Sequence, residues 1–175
     1  MKILIYVVGF ILTCFVGFYI IGVVKPTVKY ETSIIINRPA QQTWDVFSNE
    51  KLLNQWMQGY DHIEKIKLEP FQTGAEYKLV LKENNQQFDI NQKVISAIPA
   101  SVYEYILDNP VLQNHIKISF KEPQQFTTEV VISNEVEAKN WFLKSLFVFF
   151  KSQFKSQDDL NLQALKKLVE LDPQG

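Results

Sequence analysis

The chain has 175 residues, a length that suits one domain with an appendage. Its formal net charge is −1, and its basic residues are dispersed among acidic ones, so no nucleic-acid-binding surface is predicted. The single cysteine, Cys14, excludes an intrachain disulfide, and His62 and His115 stand far apart with no cysteine nearby. We therefore expect neither a metal site nor another cofactor.

The N-terminal segment is apolar over its whole length. From Ile3 to Val24 there are 22 residues without a charged side chain. At about 1.5 Å per residue, a helix of this length spans the roughly 30 Å hydrocarbon core of a bilayer. The run is longer than the core of a signal peptide, and no small-residue cleavage pattern follows it. We expect a single-pass transmembrane anchor over residues 1–25, with residues 3–24 in the membrane, and one further domain over residues 26–175.

The sequence does not decide the orientation of this segment in the membrane or whether it forms a dimer. Lys2 on one side is balanced by Lys25 on the other, so the positive-inside rule does not place the domain on either side of the membrane. Gly9, Thr13 and Gly17 are four residues apart, and such a row lets helices approach closely in lipid. A homodimer through this row is one interpretation, and the general abundance of small residues in membrane helices is the other.

The remainder of the chain predicts a domain of the α+β class. Residues 28–36 alternate in polarity as a strand does, and Asn37 is a candidate cap for a short helix with Pro39 in its first turn. Two short helices are predicted, at 40–48 and 51–55. Six strand-like runs follow, at residues 62–68, 76–83, 87–95, 101–107, 115–120 and 126–136. The short turns between them, one at Glu122-Pro123, predict an antiparallel sheet.

The C-terminal region predicts one long helix. No Gly or Pro occurs between Trp141 and Leu171, and apolar residues recur there at three-and-four spacing. A long helix packed against one antiparallel sheet of about seven strands is the expected architecture.

This order of elements resembles the helix-grip fold of the START-like superfamily, also called SRPBCC, which includes polyketide cyclase/dehydrase-like proteins. The run Ser33-Ile34-Ile35-Ile36-Asn37-Arg38-Pro39-Ala40, followed by Thr43-Trp44-Asp45-Val46-Phe47 and then Leu53 and Trp56, is similar to the opening of that family. Pro70 with Gly74 resembles its strand-joining segment, and residues 153–169 resemble its closing helix. The resemblance covers about residues 28–171, and membrane-anchored bacterial members of the family are known.

The resemblance implies a cavity between the curved sheet and the long helix, used in the family for lipids, polyketides and other hydrophobic ligands. Because the predicted inward faces are apolar and aromatic, we expect a hydrophobic small molecule or lipid as ligand. Candidate wall residues, which could equally be core filling, are Trp56, Tyr103, Tyr105, Trp141 and Phe147. Gln92 is the polar member of an apolar row, so its amide needs a partner such as a ligand.

An enzyme is the less favoured interpretation. General acid–base catalysis needs a titratable group in the pocket. His115 falls on the predicted solvent face of its strand, and His62 lies in a strand of mixed polarity. We therefore assign no catalytic residue. Two rival functions remain. A protein-interaction module would show a large exposed apolar patch beside a filled core, and a cyclase or hydrolase would show an ionisable group in the cavity with a shifted pKa.

Overall fold

Seven antiparallel strands form a single sheet that curves around a C-terminal helix. The computed structural model describes residues 2–24 and 27–171. The strands run in the spatial order β1-β7-β6-β5-β4-β3-β2, which leaves β1 and β2 as the two edges. Their bounds are β1 Thr27–Ile36, β2 Tyr60–Lys67, β3 Glu76–Glu83, β4 Gln86–Ile98, β5 Val102–Asp108, β6 Leu112–Gln124 and β7 Thr127–Ala138. The predicted α+β class and the seven-stranded antiparallel sheet are confirmed.

Five helices accompany the sheet within the described residues. They are α1 Lys2–Val24, α2 Ala40–Phe47, α3 Leu53–Trp56, α4 Trp141–Phe149 and α5 Lys151–Leu171. A single 3₁₀ turn, Glu50–Leu52, leads into α3. The two short helices after the first strand are where the sequence predicts them. The predicted boundary between anchor and domain, at residues 25 and 26, lies outside the described residues.

The predicted long C-terminal helix is confirmed as α5, but it begins at Lys151, because the first part of the predicted segment forms the separate helix α4. Phe150 lies between the two helices and ends α4 with φ −90° and ψ 2°. Helix α4 buries Phe147 against Val28 and Val136, whereas α5 buries Leu162 and Leu165 in the main core. Helices α4 and α5 therefore pack against different parts of the protein, and these tertiary contacts explain the break between them. The sequence does not signal the break, because no Gly or Pro lies near it.

Helix α4 packs directly on α1. The ring of Trp141 lies 5.8 Å from that of Phe15 and 5.5 Å from that of Tyr19, both in edge-on geometry. The close approach is made at Gly22, where a Cβ atom would lie 2.4 Å from the Ser145 hydroxyl oxygen. Ser145 is fully buried by this contact. The two helices therefore form one packed pair, with a glycine at its tightest point.

The expected membrane-spanning helix finds no support in this structure. Over residues 2–24 and 27–171, as far as they are described, no helix is long and apolar enough to cross a membrane. The two glycines of the small-residue row of α1 have open space beside them. A Cβ at Gly9 or Gly17 would meet nothing within 4 Å, and the Thr13 hydroxyl donates to the Gly9 carbonyl at 2.9 Å. Dimerisation through this row stays a prediction.

The start of α2 differs from the predicted cap. Asn37 does not cap this helix, because its backbone N–H and its side-chain amide both donate to the Glu170 carboxylate at 2.9 Å. The Glu122 carboxylate instead accepts from the Ala40 N–H at 2.7 Å. Arg38 donates to the Glu170 carbonyl at the end of α5. The Asn-Arg-Pro segment thus connects the first strand to the last turn of α5. Helix-capping rules consider only neighbouring residues, so they could not predict this contact between distant parts of the sequence.

Strand β6 continues through the predicted turn at Glu122-Pro123. Its pairing with β7 is regular up to Lys121 opposite Glu129, is interrupted by a bulge, and resumes at Gln124 opposite Thr127. Pro123 falls inside the bulge, where its missing N–H costs no ladder hydrogen bond. The chain turns after it at Phe126, which has a positive φ of 59°.

Candidate functional site

A cavity of about 580 Å³ lies between the concave face of the sheet and helix α5. The wall on the sheet side comes from β2 to β7, with Ile63 as the contribution of β2, and α5 closes the other side with Leu162 and Leu165. Phe47 of α2 and Trp56 of α3 complete one end, with their rings stacked 5.3 Å apart. The volume is within the range of small-molecule sites in proteins.

The alternation of the strands sets the character of the wall. Side chains two residues apart point to the same face, so each strand contributes a row to the cavity. These rows are Tyr77, Leu79 and Leu81 on β3, Phe88, Ile90 and Gln92 on β4, Tyr103, Tyr105 and Leu107 on β5, Ile116 and Ile118 on β6, and Val130 and Ile132 on β7. The wall is therefore mainly aliphatic and aromatic.

The first polar cluster in the wall joins Gln92 to two tyrosines. The Gln92 amide nitrogen donates to the Tyr77 hydroxyl at 2.5 Å and to the Tyr103 hydroxyl at 2.9 Å. The two hydroxyls also bond to each other at 2.8 Å. Burial raises the pKa of both phenols, so they stay neutral near pH 7 and act as hydrogen-bonding groups. The buried amide predicted to need partners finds them within the chain.

The second polar cluster is a directed chain of three side chains. The Asn114 amide nitrogen donates to the Asn134 amide oxygen at 2.8 Å, and the Asn134 nitrogen donates to the Asp158 carboxylate at 2.9 Å. All three residues line the cavity. The Asn114 amide oxygen is buried and has no hydrogen-bond partner among the described residues. Both amide nitrogens therefore donate in the direction of Asp158. At the other end of this chain of hydrogen bonds, the Asn114 oxygen is an acceptor without a donor among the described residues.

Asp158 is an ionisable group inside the cavity. Burial raises its pKa to about 6, with hydrogen bonds from Tyr30 and Asn134 opposing the shift and the charge of neighbouring Asp159 adding to it. The Asp159 side chain points elsewhere and bonds the Thr32 hydroxyl. No residue within the described ranges forms an ion pair with Asp158. The carboxyl group is held in place by neutral partners alone.

The cavity has an exposed end between the loop after α3 and the β3–β4 hairpin. Gln58 in the loop and Lys82 and Asn84 at the hairpin line it and are exposed. Two hydrogen bonds cross this end. The Gln157 amide donates to the Gln58 side-chain oxygen at 2.8 Å, and the Gln58 backbone N–H donates to the Asn161 side chain at 3.1 Å. Polar contacts of α5 with the loop thus frame the opening.

The structure brings together four of the six residues proposed from sequence. Trp56, Gln92, Tyr103 and Tyr105 all line the cavity, and their contact with a ligand stays a prediction. Trp141 and Phe147 lie elsewhere. Trp141 packs on α1, and Phe147 is buried in a second core cluster with Val28, Val136 and Ala138. Both were placed in the wall on the assumption of one continuous C-terminal helix, which the break at Phe150 removes.

Sequence reasoning missed the chain of Asn114, Asn134 and Asp158. The signal was present, because each of these residues continues an apolar row. Asn114 and Asn134 extend the inward rows of β6 and β7, and Asp158 lies four residues from Leu162 on the inner face of α5. The two histidines are outside the cavity wall. His115 bonds Glu104 at 2.7 Å, and His62 bonds Asp61 at 2.6 Å, both at exposed positions.

No family model matches the chain, and no curated protein matches it in sequence. Solved structures do resemble it in fold. A protein of unknown function, SA2116 from Staphylococcus aureus, has a TM-score of 0.69 at 16% identity, covering 85% of this chain and 97% of that one. The ZhuI aromatase/cyclase from Streptomyces sp. R1128 has a TM-score of 0.65 at 13% identity, covering 82% and 94%.

Ara h 8.0201 is a further structure with this architecture, with a TM-score of 0.63 at 14% identity, covering 83% of this chain and 99% of its own. At such identities the likeness concerns fold and not activity. Together with the sheet order, the two short helices after β1 and the helix α5 across the concave face, it shows that the chain adopts the helix-grip fold.

Proposed function

We propose that this domain binds a hydrophobic small molecule or lipid in the cavity between the sheet and α5. The observation that carries the proposal is a cavity of about 580 Å³ whose wall is mostly aliphatic and aromatic, with few polar groups. Burying an apolar ligand there would remove both the ligand and the wall from water. The ZhuI neighbour, whose name describes an aromatase/cyclase, uses the same fold and lends the proposal indirect support.

Native mass spectrometry of the gently purified full chain, released from detergent in the instrument, tests this function. A stoichiometric apolar molecule, identified after organic extraction, is the expected result. Replacing Ile132, which lines the cavity, by Trp should remove the bound mass by filling the space. Ile35 → Trp is the matched control, because Ile35 lies on β1 and is 43% exposed. An apo mass for the wild type, unchanged after exposure to a cell lipid extract, would refute the proposal.

Catalysis on a hydrophobic substrate is a second candidate, and Asp158 is the observation that favours it. It is an ionisable cavity group whose pKa is raised by burial to about 6, the property expected of a general acid or base. Among the described residues the wall contains no histidine, and its lysine, Lys82, lies on the exposed β3–β4 hairpin. Conversion of an extracted ligand by the wild type, lost in Asp158 → Asn, would establish an enzyme, and recovery of the unchanged ligand would exclude that reaction.

We also propose that residues 3–24, together with α4, attach the domain to a membrane. The sequence supports this with its uncharged run from Ile3 to Val24. The exposed surface of the helix pair supports it as well. Phe142 and Phe149 of α4 are 49% and 60% exposed, and Phe10 of α1 is 71% exposed. Apolar patches of this kind are sites of protein or membrane contact. The open cavity argues against a filled-core interaction module, which favours lipid as the partner.

Flotation of the full chain with liposomes tests the membrane proposal. Replacing Phe142, Phe149 and Phe150 by Ser should weaken flotation without loss of folding, because all three are exposed. Phe126 → Ser is the control, since Phe126 is 64% exposed at the β6–β7 turn, beyond the opposite end of β7 from α4. Resistance of the wild type to alkaline extraction would indicate insertion, and full release would refute an anchor. Crosslinking through Cys14 in the same membranes tests the homodimer.

A further inference from the structure

The polar chain of Asn114, Asn134 and Asp158 gives the cavity a defined chemical end. Three charged side chains are among the residues that line the cavity. Lys82 and Glu83 belong to the exposed β3–β4 hairpin, whereas Asp158 projects from α5 toward the interior. The carboxyl group of Asp158 is thus the charged group of the inner wall.

This carboxyl group has unused capacity for hydrogen bonds. A carboxylate offers about four lone-pair sites, and Asn134 occupies one of them at 2.9 Å. Tyr30 on β1 supplies a further hydrogen bond. Lysine and arginine side chains, which usually neutralise such a group, do not pair with it in any ion pair of the described residues. A carboxylate that is partly buried without a cation needs additional donors.

The Asn114 amide, at the far end of the polar chain, also needs a hydrogen-bond donor. The Asn114 side chain is about nine-tenths buried, and its amide oxygen has no partner among the described residues. Its nitrogen is committed to Asn134, whose own nitrogen is committed to Asp158. Each amide thus uses one N–H donor within the chain, and the buried group left without a partner is an acceptor, the Asn114 oxygen.

We propose that Asp158, with Asn114 at the far end of the same polar chain, recognises a hydrogen-bond donor carried by the ligand. The ligand class is then an amphiphile with an apolar body and a hydroxyl or ammonium head, and a carboxylate head is disfavoured by charge repulsion. This inference rests on the proposed function of the cavity and names its ligand chemistry. Asn134 is a positioning residue, since it holds the carboxyl group through its amide.

A series of four pyrene probes separates the head group from the apolar body. The probes are 1-pyrenemethanol, 1-pyrenemethylamine, 1-methylpyrene and 1-pyrenecarboxylic acid. Energy transfer from tryptophan to pyrene reports binding, because Trp56 lies in the cavity wall. The full chain is held in amphipol, and the cavity-filled Ile132 → Trp variant gives the background from probe dissolved in the amphipol. Asp158 → Asn is the test variant, and Asp159 → Asn is its matched control outside the wall.

The wild type and Asp159 → Asn should bind the alcohol or the amine about tenfold more tightly than 1-methylpyrene, as expected for hydrogen bonds to a charged group. They should bind the carboxylate most weakly. In Asp158 → Asn, the preference for the amine should disappear and the carboxylate should gain affinity. A preference for the alcohol alone would identify a hydroxyl head, and one for the amine alone an ammonium head.

The pH dependence gives a readout that a merely structural role would not produce. The titratable groups that act on Asp158 are Tyr30 on β1, Tyr105 on β5 and, through its charge, the neighbouring Asp159 on α5. Burial raises the pKa of both tyrosines, so neither titrates near neutral pH. Lowering the pH from 7.5 to 5 protonates Asp158, whose pKa is about 6, and should reduce the amine preference of the wild type, whereas the relative affinities of Asp158 → Asn for the amine and 1-methylpyrene should not change.

Two results would overturn the inference. Equal affinities of the wild type for all four probes would show that Asn114, Asn134 and Asp158 do not discriminate between head groups. An amine preference that survives in Asp158 → Asn would place recognition elsewhere. Either result leaves binding in the cavity intact. Failure of all four probes to bind the wild type would instead overturn the proposed function and the inference together.

Discussion

Gly22 should be the most sensitive position of the packing between α1 and α4. A Cβ atom at this residue would lie 2.4 Å from the Ser145 hydroxyl oxygen, 2.9 Å from the Trp141 carbonyl oxygen and 3.0 Å from the Ser145 backbone nitrogen. The hydroxyl can rotate, but the backbone atoms cannot. Ordinary contact begins at 3.4 Å, so Gly22 → Ala must part the helices locally by about 0.5 Å. The rings of Phe15 and Tyr19 would then lose part of their contact with Trp141.

The magnitude follows from two opposing effects. Overpacking a close contact costs about 1–3 kcal/mol, whereas Gly to Ala in a helix gains about 0.5–1 kcal/mol from the unfolded chain. Gly17 → Ala is the matched control, because it has the same gain and nothing within 4 Å of its Cβ. The difference between the two variants isolates the packing term, at about 1–3 kcal/mol in favour of Gly17 → Ala.

Hydrogen exchange of the full chain in a mild non-ionic detergent, followed by mass spectrometry, measures this difference. Peptides from α4 should exchange about 5- to 150-fold faster in Gly22 → Ala than in Gly17 → Ala, since 1.4 kcal/mol corresponds to a factor of ten. Peptides from β3 and β4 should exchange equally in both variants. Equal protection of α4 in the two variants would refute the packing argument.

Three further predictions concern the cavity and its wall. Gln92 → Leu should destabilise the fold by about 1–3 kcal/mol in urea unfolding, because both buried phenols lose a donor, and adding Tyr77 → Phe and Tyr103 → Phe should recover much of this loss. A triple variant no more stable than the single one would contradict that reasoning. Asp158 → Asn should raise stability at pH 7 by about 3 kcal/mol, since the wild-type carboxyl has a folded pKa of about 6 against an ordinary 3.8. The wild-type penalty is absent below about pH 4, grows as the pH rises from 4 to 6 and is nearly constant above 6. A stability difference between the two proteins that does not change between pH 4 and 6 would count against it. Leu165 → Ala should cost about 2–5 kcal/mol, because Leu165 is 1% exposed in the core, and thermal unfolding at an unchanged temperature would show that α5 is not packed as described.

The cavity wall could be predicted from the alternation of the strands. A strand with one buried face repeats every two residues, so Tyr77, Leu79 and Leu81 were assigned to one face without knowledge of their neighbours, and all three line the cavity. The same rule placed Gln92 inward. Its partners could not be predicted, because the Tyr77 and Tyr103 hydroxyls reach it across three strands.

The helical parts were harder to predict for a physical reason. A continuous three-and-four pattern shows that a segment is helical, but not which partner its apolar face meets. The residues around Phe150 keep the pattern while the partner changes from α1 and β7 to the main core. Trp141 was therefore assigned to the cavity and lies against α1 instead. Asp158 was overlooked because charged residues usually mark the solvent face of a helix.

The edge strand β2 has a consequence for how copies of this chain behave when crowded together. An edge presents unpaired backbone donors and acceptors, which invite another strand to extend the sheet. Along Tyr60–Lys67 the exposed side chains include Asp61, Glu64 and Lys65, and Lys65 is also paired with Glu69 at 2.6 Å. Sheet extension would have to strip water from these charges and realign them. The charged side chains of β2 thus disfavour edge-to-edge aggregation, even where neighbouring copies of the chain lie close together on one surface.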